Sequence, residues 1–519
     1  MYSTIVSGAV YGINSYLVSV EVDIANGLPG IDMVGSLSSE VKEAKERVRV
    51  ALNNSGYALP ASHITINLSP ANVRKDGSAF DLPIAIGILK SMEKIKISEE
   101  MESALFIGEL GLSGDVRFST GILPVILEAK RKGIRHCFVP YANRKEAQVV
   151  EGVMIHGVRS LKEVISILER GTNVPEKEET KKGETSDGIN VYSLPDLSGQ
   201  AMELDFSQIR GQEILKKAAL ISAAGFHHVL IVGPPGVGKT MIAKRMPTIL
   251  PPMSLEECLE VTKIYSVSGL INEERPLIQV RPFMNPHHTI SKQALSGGGR
   301  IPKPGVISLA HKGVLFLDEL PEFKRDTLDV MRQPLEDKKV QIARSLGTFD
   351  YPADFILFAA LNPCPCGYYP NRSKCTCTPV QIKNYISHVS GPLLDRIDLC
   401  VQAEPFDITK NKENKKEISS SEMRQQVMLA RNRQLKRFQG TSLQFNSQLD
   451  GKAVEKFCHL EKEEQELFEE IVKQKQFSAR AYYRTLKVAR TIADLEDCEQ
   501  IGKKHLLEAL CYRNEKWLG

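Results

Sequence analysis

The sequence of 519 residues predicts an α/β protein in three parts: an α+β module over 1–170, an α/β nucleotide-binding core over 191–405 and a helical C-terminal region over 421–519. Three observations predict it. A short apolar run, Val229–Val232, passes directly into Gly233–Thr240, which fits GxxxxGKT and continues into a helix from Met241 to Met246. Alternating apolar and polar residues recur between amphipathic helices ahead of residue 170. Two charged stretches poor in apolar residues, 171–190 and the lysine-rich 406–420, read as linkers between the parts.

In the first part Val18, Val20 and Val22 alternate with Ser19, Glu21 and Asp23, and Ile64, Ile66 and Leu68 alternate with Thr65 and Asn67. That is the period of half-buried strands. Between them Val41, Ala44, Val48, Ala51 and Leu52 share one helical face, with serines ahead as caps and Gly56 as a stop. A second helix starts near Asp81 and Pro83, and a third covers Pro124–Lys132.

The core carries the chemistry. In Gly233, Pro234, Pro235, Gly236, Val237, Gly238, Lys239 and Thr240 the glycines let backbone amides curl around phosphates, Lys239 neutralises the β and γ groups of ATP, and Thr240 offers its hydroxyl to Mg²⁺. A helix from about Ser207 to Ala224 leads into this loop. The apolar run Val314–Leu317 ends in Asp318 and Glu319, and a P-loop ATPase is expected to place such a strand beside the phosphate-binding strand. Asp318 then joins Thr240 around Mg²⁺, while Glu319 polarises the attacking water. Phe355–Leu361 is the next strand, and Asn362 at its end supplies an amide for the γ-phosphate and the water, the role called sensor 1.

Arg396, in the segment 392–399, sits where an arginine finger is expected, which stabilises charge on the transferred phosphoryl group from an adjacent subunit. Ser478 caps a helix in which Tyr482, Leu486, Ala489 and Ala493 face inward while Arg480, Arg484 and Lys487 share another face. Arg480 matches sensor 2, a reader of the nucleotide carried on the helical lid.

Four of the ten cysteines, Cys364, Cys366, Cys375 and Cys377, form CxC, eight residues, CxC, and four thiolates in a short loop can close a tetrahedral Zn²⁺ site. The alternative is a set of reduced loop thiols. His287 and His288 are adjacent, a spacing that rarely brings two imidazoles to one metal, and they carry no assignment. With 67 basic against 63 acidic residues the chain is not histone-like, so any nucleic-acid surface must be local. No apolar run approaches the roughly 18 residues of a membrane helix, and no basic, apolar leader opens the chain, so the expectation is a cytoplasmic protein without a membrane partner.

The first part resembles the Lon protease-like fold (ribosomal S5 domain 2-like) through 75–78 and the run from Ile107 through Gly114 to Pro140. That family activates a serine with a lysine. Ser78 is the serine on offer, but Leu123 stands where the lysine belongs, and a serine without a base is a poor nucleophile. The implied module is not an active protease. The core resembles AAA+ ATPases of the magnesium chelatase and MCM branch, through residues 262–312 ahead of Asp318 and a β-hairpin at 340–356. In MCM helicases that hairpin touches DNA in the central pore, which makes Lys338, Lys339 and Arg344 the candidate phosphate contacts. Essentially the whole chain resembles the YifB/ComM family of magnesium-chelatase-like ATPases. The resemblance implies a cytoplasmic ring, a hexamer, that uses ATP to move on single-stranded or branched DNA, as a helicase or in branch migration during recombination or natural transformation. The alternative is a magnesium-chelatase-type motor, or a protein-remodelling ATPase, that does not act on DNA.

Overall fold

A computed structural model describes residues 1–170, 204–300, 302–344, 347–403 and 417–513. The linker expected at 171–190 and most of that at 406–420 lie outside the described residues. The chain divides into two units, Met1–Asn190 with Cys258–Ile278, and Val191–Glu257 with Gln279–Gly519.

In the first unit the two-residue alternation produces the strands Asn14–Ala25 and His63–Ser69, antiparallel, with Val18, Val20, Val22, Ile66 and Leu68 fully buried. They are neighbours in a seven-stranded sheet whose order is Gly30–Val34, His63–Ser69, Asn14–Ala25, Tyr2–Tyr11, Leu105–Phe106, His136–Pro140, Met154–Val158. Helices Ser39–Asn54 and Asp81–Ser91 pack on one face. Ile122–Arg131 packs on the other. The Ser38 hydroxyl accepts from the Val41 N–H and starts the first of these helices, as its sequence signals require. Residues 258–278 belong with this unit, although the sequence counts them in the core. Leu259 packs into the second apolar layer, and Ser266 accepts from the Gly121 N–H and donates to Glu146.

The second unit is built on five parallel strands in the order Phe283–Met284, Val314–Leu317, Ile356–Leu361, Val229–Val232, Leu399–Gln402. The acidic strand is therefore not beside the phosphate-binding strand, contrary to expectation. Ile356–Leu361 separates them, because it is buried at all six positions and takes the centre, hydrogen-bonded along both edges. Asn362 is thereby carried between the phosphate-binding loop and the acidic pair. The expected helix 207–224 is also corrected. A single turn, Phe206–Gln208, capped by Asp205, is followed by Gly211 and Gln212 at φ of +65° and +57°, and the helix proper runs Glu213–Gly225.

Helices Ser420–Arg437, Ala479–Leu495 and Lys503–Cys511 form the lid and share one apolar core with Glu213–Gly225. The Ser478 hydroxyl caps Ala479–Leu495 by accepting from the Ala481 N–H. The basic face expected on that helix is divided: Arg484 lies 3.4 Å from Asp398 and Lys487 donates to the Ser447 carbonyl at 3.0 Å, both inside the lid interface. Arg480 alone of the three points out, its side chain 57% exposed.

His228, just ahead of the phosphate-binding strand, is buried. Its Nδ1 accepts from the Leu357 N–H at 3.1 Å, which requires a neutral ring. Burial lowers its pKa to about 3; Lys338 and Arg484 push the same way, and Asp398 and Asp354 oppose. A pKa depressed on folding means stability is complete above the unfolded value of 6.5 and declines as pH falls towards 3, where the unfolded chain takes up a proton that the folded ring refuses. His228→Gln is therefore expected to flatten the fall in urea midpoint over that range. Equal slopes for the two chains would contradict this role.

Candidate active site

The phosphate-binding loop leaves the carboxyl end of Val229–Val232 and enters helix Lys239–Ile249. Gly236 and Gly238 have φ of +81° and +90°, a region where a side chain is strained, and a Cβ on Gly233 would come within 2.7 Å of Ala403. Glycine at these positions lets the backbone wrap tightly ahead of a helix N-terminus, where the macrodipole favours phosphate.

Hydrogen bonds gather three strand ends on this loop. Lys239 Nζ donates to the carbonyls of Gly233 and Pro234, at 2.6 and 3.1 Å, and to Asn362 Oδ1 at 2.9 Å. Thr240 Oγ1 donates to Asp318 Oδ2 at 2.7 Å. Burial lowers the Lys239 pKa, and the Asp318 and Glu319 carboxylates counter it, which places the ammonium within their field. A hydroxyl and a carboxylate oxygen at this spacing fit neighbouring ligands of an octahedral Mg²⁺, whose ~2.1 Å bonds put adjacent oxygens about 3.0 Å apart.

Glu319 adopts φ of +51°, uncommon for a residue with a side chain, and its N–H donates to Asp318 Oδ1 at 3.0 Å. The turn sends the two carboxylates apart. Glu319 remains 53% exposed, open to water, with Oε2 3.7 Å from His288 Nδ1. Sequence spacing gives no sign of this neighbour. It follows from the sheet: Phe283–Met284 lies against Val314–Leu317, so the loop after one delivers His288 beside the end of the other.

Arg396 and Arg480 meet elsewhere. Arg396 Nη1 donates to the Pro392 carbonyl at 2.6 Å, and its Nη2 lies 2.7 Å from Glu336 Oε1. Arg480 Nη2 lies 2.9 Å from the same oxygen. One carboxylate on helix Arg332–Asp337 thus holds the expected finger and the expected sensor 2 together. The hairpin pairs Lys339–Arg344 with Gly347–Pro352. Within it Lys339 donates to Asp350 at 2.9 Å, and Lys338, just before it, lies 3.6 Å from Asp354. Arg344, at the end of its strand, is exposed and donates to the adjacent Ala343 carbonyl.

The four cysteines converge. Cys364 Sγ lies 3.3 Å from Cys366 and 3.8 Å from Cys375, Cys366 lies 3.6 Å from Cys375, and all four sulfurs fall within 4.8 Å of one another. Tetrahedral Zn²⁺ with ~2.3 Å bonds requires thiolates about 3.8 Å apart, so the donor set fits. The backbone folds back for this, the Gly367 N–H donating to the Cys364 carbonyl and the Tyr369 N–H to Cys364 Sγ. A hydrogen bond from the Tyr368 backbone, foremost, brings the Cys366 pKa down to about 6.

In the first unit the Ser78 hydroxyl donates to Glu109. Leu123 is buried, and its N–H donates to Glu146 at 3.2 Å.

Together, the parallel sheet, the gathered strand ends and the helical lid define a P-loop ATPase of the AAA+ class. Comparison with known proteins narrows the class. The families described as Magnesium chelatase, subunit ChlI, Subunit ChlI of Mg-chelatase, and Magnesium chelatase, subunit ChlI C-terminal match residues 205–411, 20–143 and 417–513. The chain is 41% identical over 512 residues to uncharacterized protein YifB of Salmonella typhimurium, covering 97% of this chain and 96% of that one. It is 40% identical over 511 residues to competence protein ComM of Haemophilus influenzae, covering 98% and 96%. Over 180 residues, 31% of this chain and 32% of the other, it is 29% identical to Lon protease 2 of Bacillus subtilis. The chain belongs to the YifB/ComM family of magnesium-chelatase-like AAA+ ATPases. No helix among the described residues is long and apolar enough to cross a membrane.

Glu319→Gln is expected to leave ATP affinity unchanged and to lower turnover about 10²-fold or more, the usual loss for a positioned base. His288→Ala is expected to lower turnover less, again at unchanged affinity. Isothermal titration with ATP and a phosphate-release assay read both, and full turnover in Glu319→Gln would remove that carboxylate from the chemistry.

Proposed function

We propose that the protein is a hexameric ring motor that uses ATP and Mg²⁺ to move on single-stranded or branched DNA, as a helicase or in branch migration during recombination or natural transformation in the cytoplasm. The observation that carries the ATP reading is the pair of hydrogen bonds Thr240 to Asp318 and Lys239 to Asn362, which brings these four side chains together at one loop. Bound ATP·Mg²⁺ supplies the phosphoryl group and its charge. Lys239 binds phosphate oxygens, Thr240 and Asp318 hold the metal, Asn362 orients the attacking water, and Glu319 takes its proton. Arg396 and Arg480, gathered on Glu336, serve the triphosphate of a neighbouring subunit, so hydrolysis follows assembly. The cysteine cluster binds one Zn²⁺ as a structural site.

The DNA reading is supported by the full-length similarity to competence protein ComM and by the exposure of Arg344 on the hairpin. Lys338 and Lys339, engaged with carboxylates of their own chain, contribute less. The match to magnesium chelatase subunit ChlI favours a second reading, a chelatase-type motor that needs no DNA.

Phosphate release measured with and without single-stranded and four-way-junction DNA separates the two. Stimulation by DNA that is removed in Arg344→Glu is the expected result. An assembled ring that neither binds DNA nor changes its turnover would contradict the DNA reading and leave the chelatase-type motor.

A further inference from the structure

The stretch that follows Asn362 carries the four cysteines, and between Cys366 and Cys375 it turns over the phosphate-binding loop. Gly367, at φ of +84°, lies so close to Pro235 that a Cβ there would sit 2.6 Å from Pro235 Cδ. Tyr368, Tyr369, Asn371 and Lys374 line one side of a cavity of about 880 Å³. Pro234, Pro235 and Val237 line it at the phosphate end, and Glu508 of the last lid helix and Tyr512 just after that helix line it as well. The volume suits a small organic ligand. A cavity that begins at a triphosphate loop and continues past tyrosines, an amide and an ammonium has the chemistry for a nucleoside: a planar base for the aromatic faces, and exocyclic groups and ribose hydroxyls for Asn371 and Lys374.

No helix or strand forms between Asn362 and Thr378, so this lobe has no ladder of backbone hydrogen bonds to hold it. Turns at Tyr368–Asn371 and Asn371–Cys375 shape it locally, Asn371 Oδ1 accepting from the Ser373 N–H and hydroxyl, and the cysteine cluster ties its two ends together, with Cys364 and Cys375 buried beside Ile382 and Ile386 of the helix Pro379–Ser387. A metal across the four sulfurs closes the eight-residue lobe at both ends and fixes it against Pro235. Without that crosslink, the entropy of ordering the lobe is taken from nucleotide binding.

We infer that the cysteine lobe is the nucleoside wall of the ATP site, and that the metal held by Cys364, Cys366, Cys375 and Cys377 sets the affinity for nucleotide. This rests on the ATP and zinc readings above. It adds a dependence of one site on the other.

The test uses the full-length chain in the Glu319→Gln background, with metal content and ATP dissociation constant measured on the same preparations. The protein is assayed as purified, after removal of zinc by a chelator that is then dialysed away into Mg²⁺ buffer, and after zinc is returned. The expected result is one zinc per chain, an ATP dissociation constant raised about tenfold or more on stripping, and recovery on return. Zinc present with an unchanged dissociation constant on stripping overturns the inference and leaves the zinc reading standing. Absence of zinc overturns both, and absence of ATP binding in the zinc-loaded chain overturns the inference together with the ATP reading. Because stripping can unfold more than the lobe, Tyr368→Ala and Asn371→Ala, which keep all four thiols, supply an independent arm. Weakened ATP binding at unchanged zinc content and melting temperature supports the wall, and unchanged binding in both variants overturns it.

Discussion

Two hydrogen bonds, Thr240 to Asp318 and Lys239 to Asn362, are the constraint on which the rest of the second unit depends. A bond to a charged partner contributes about 1.5–3 kcal/mol, little beside the apolar core that the sheet buries. Its importance is positional. A parallel sheet aims all its carboxyl ends the same way, and these bonds fix three adjacent ends to one loop: the phosphate-binding strand, the strand ending in Asn362, and the strand ending in Asp318 and Glu319. The left-handed turn at Glu319 then separates two neighbouring carboxylates into different surroundings, one facing the Thr240 hydroxyl and the other open to water beside His288.

The lid is tied to this sheet through Asp398. Burial alone raises the pKa of that carboxyl, but Arg484, His227 and His228 outweigh it and hold the group well below the ordinary carboxylate range. Arg484 sits on the lid helix, and Asp398 follows Arg396 by two residues. Arg480 lies one turn before Arg484 on the same helix and meets Arg396 at Glu336. The anchoring of the lid therefore also decides where the two arginines stand. Asp398 accepts from the His228 N–H and stands with it at the amino ends of two parallel strands, whereas the loop of Lys239 and Thr240 leaves a carboxyl end. That opposite placement is the basis for proposing that the two arginines serve a neighbour's nucleotide.

Much of this was legible in local pattern. The phosphate-binding loop, the strand ends bearing Asp318 and Asn362, the Ser38 and Ser478 caps and the convergence of four cysteines all depend on residues close in sequence, whose chemistry prescribes their spacing. What was not legible depends on tertiary neighbours. The central place of Ile356–Leu361 is decided by its hydrogen bonding on both edges, and the loss of Arg484 and Lys487 from an outward basic face by partners at Asp398 and Ser447. His288 becomes a neighbour of Glu319 only through the pairing of two strands remote in sequence, and the approach of Gly367 to Pro235 is likewise invisible in either segment alone. The break at Gly211 and Gln212 did carry a local glycine signal, overridden by the apolar periodicity around it.

The central claim is that one working site is assembled from two chains, and subunit mixing tests it most directly. In the proposed scheme Glu319→Gln chains lose the carboxylate assigned to the attacking water, and Arg396→Ala chains lose the guanidinium assigned to a neighbour's triphosphate. Each is expected to be inactive alone. Mixed in equal amounts, dissociated and reassembled, they form some junctions at which an intact Glu319 faces an intact Arg396, and the account predicts that phosphate release reappears and depends on the mixing ratio. No recovery in rings shown to contain both chains would contradict it.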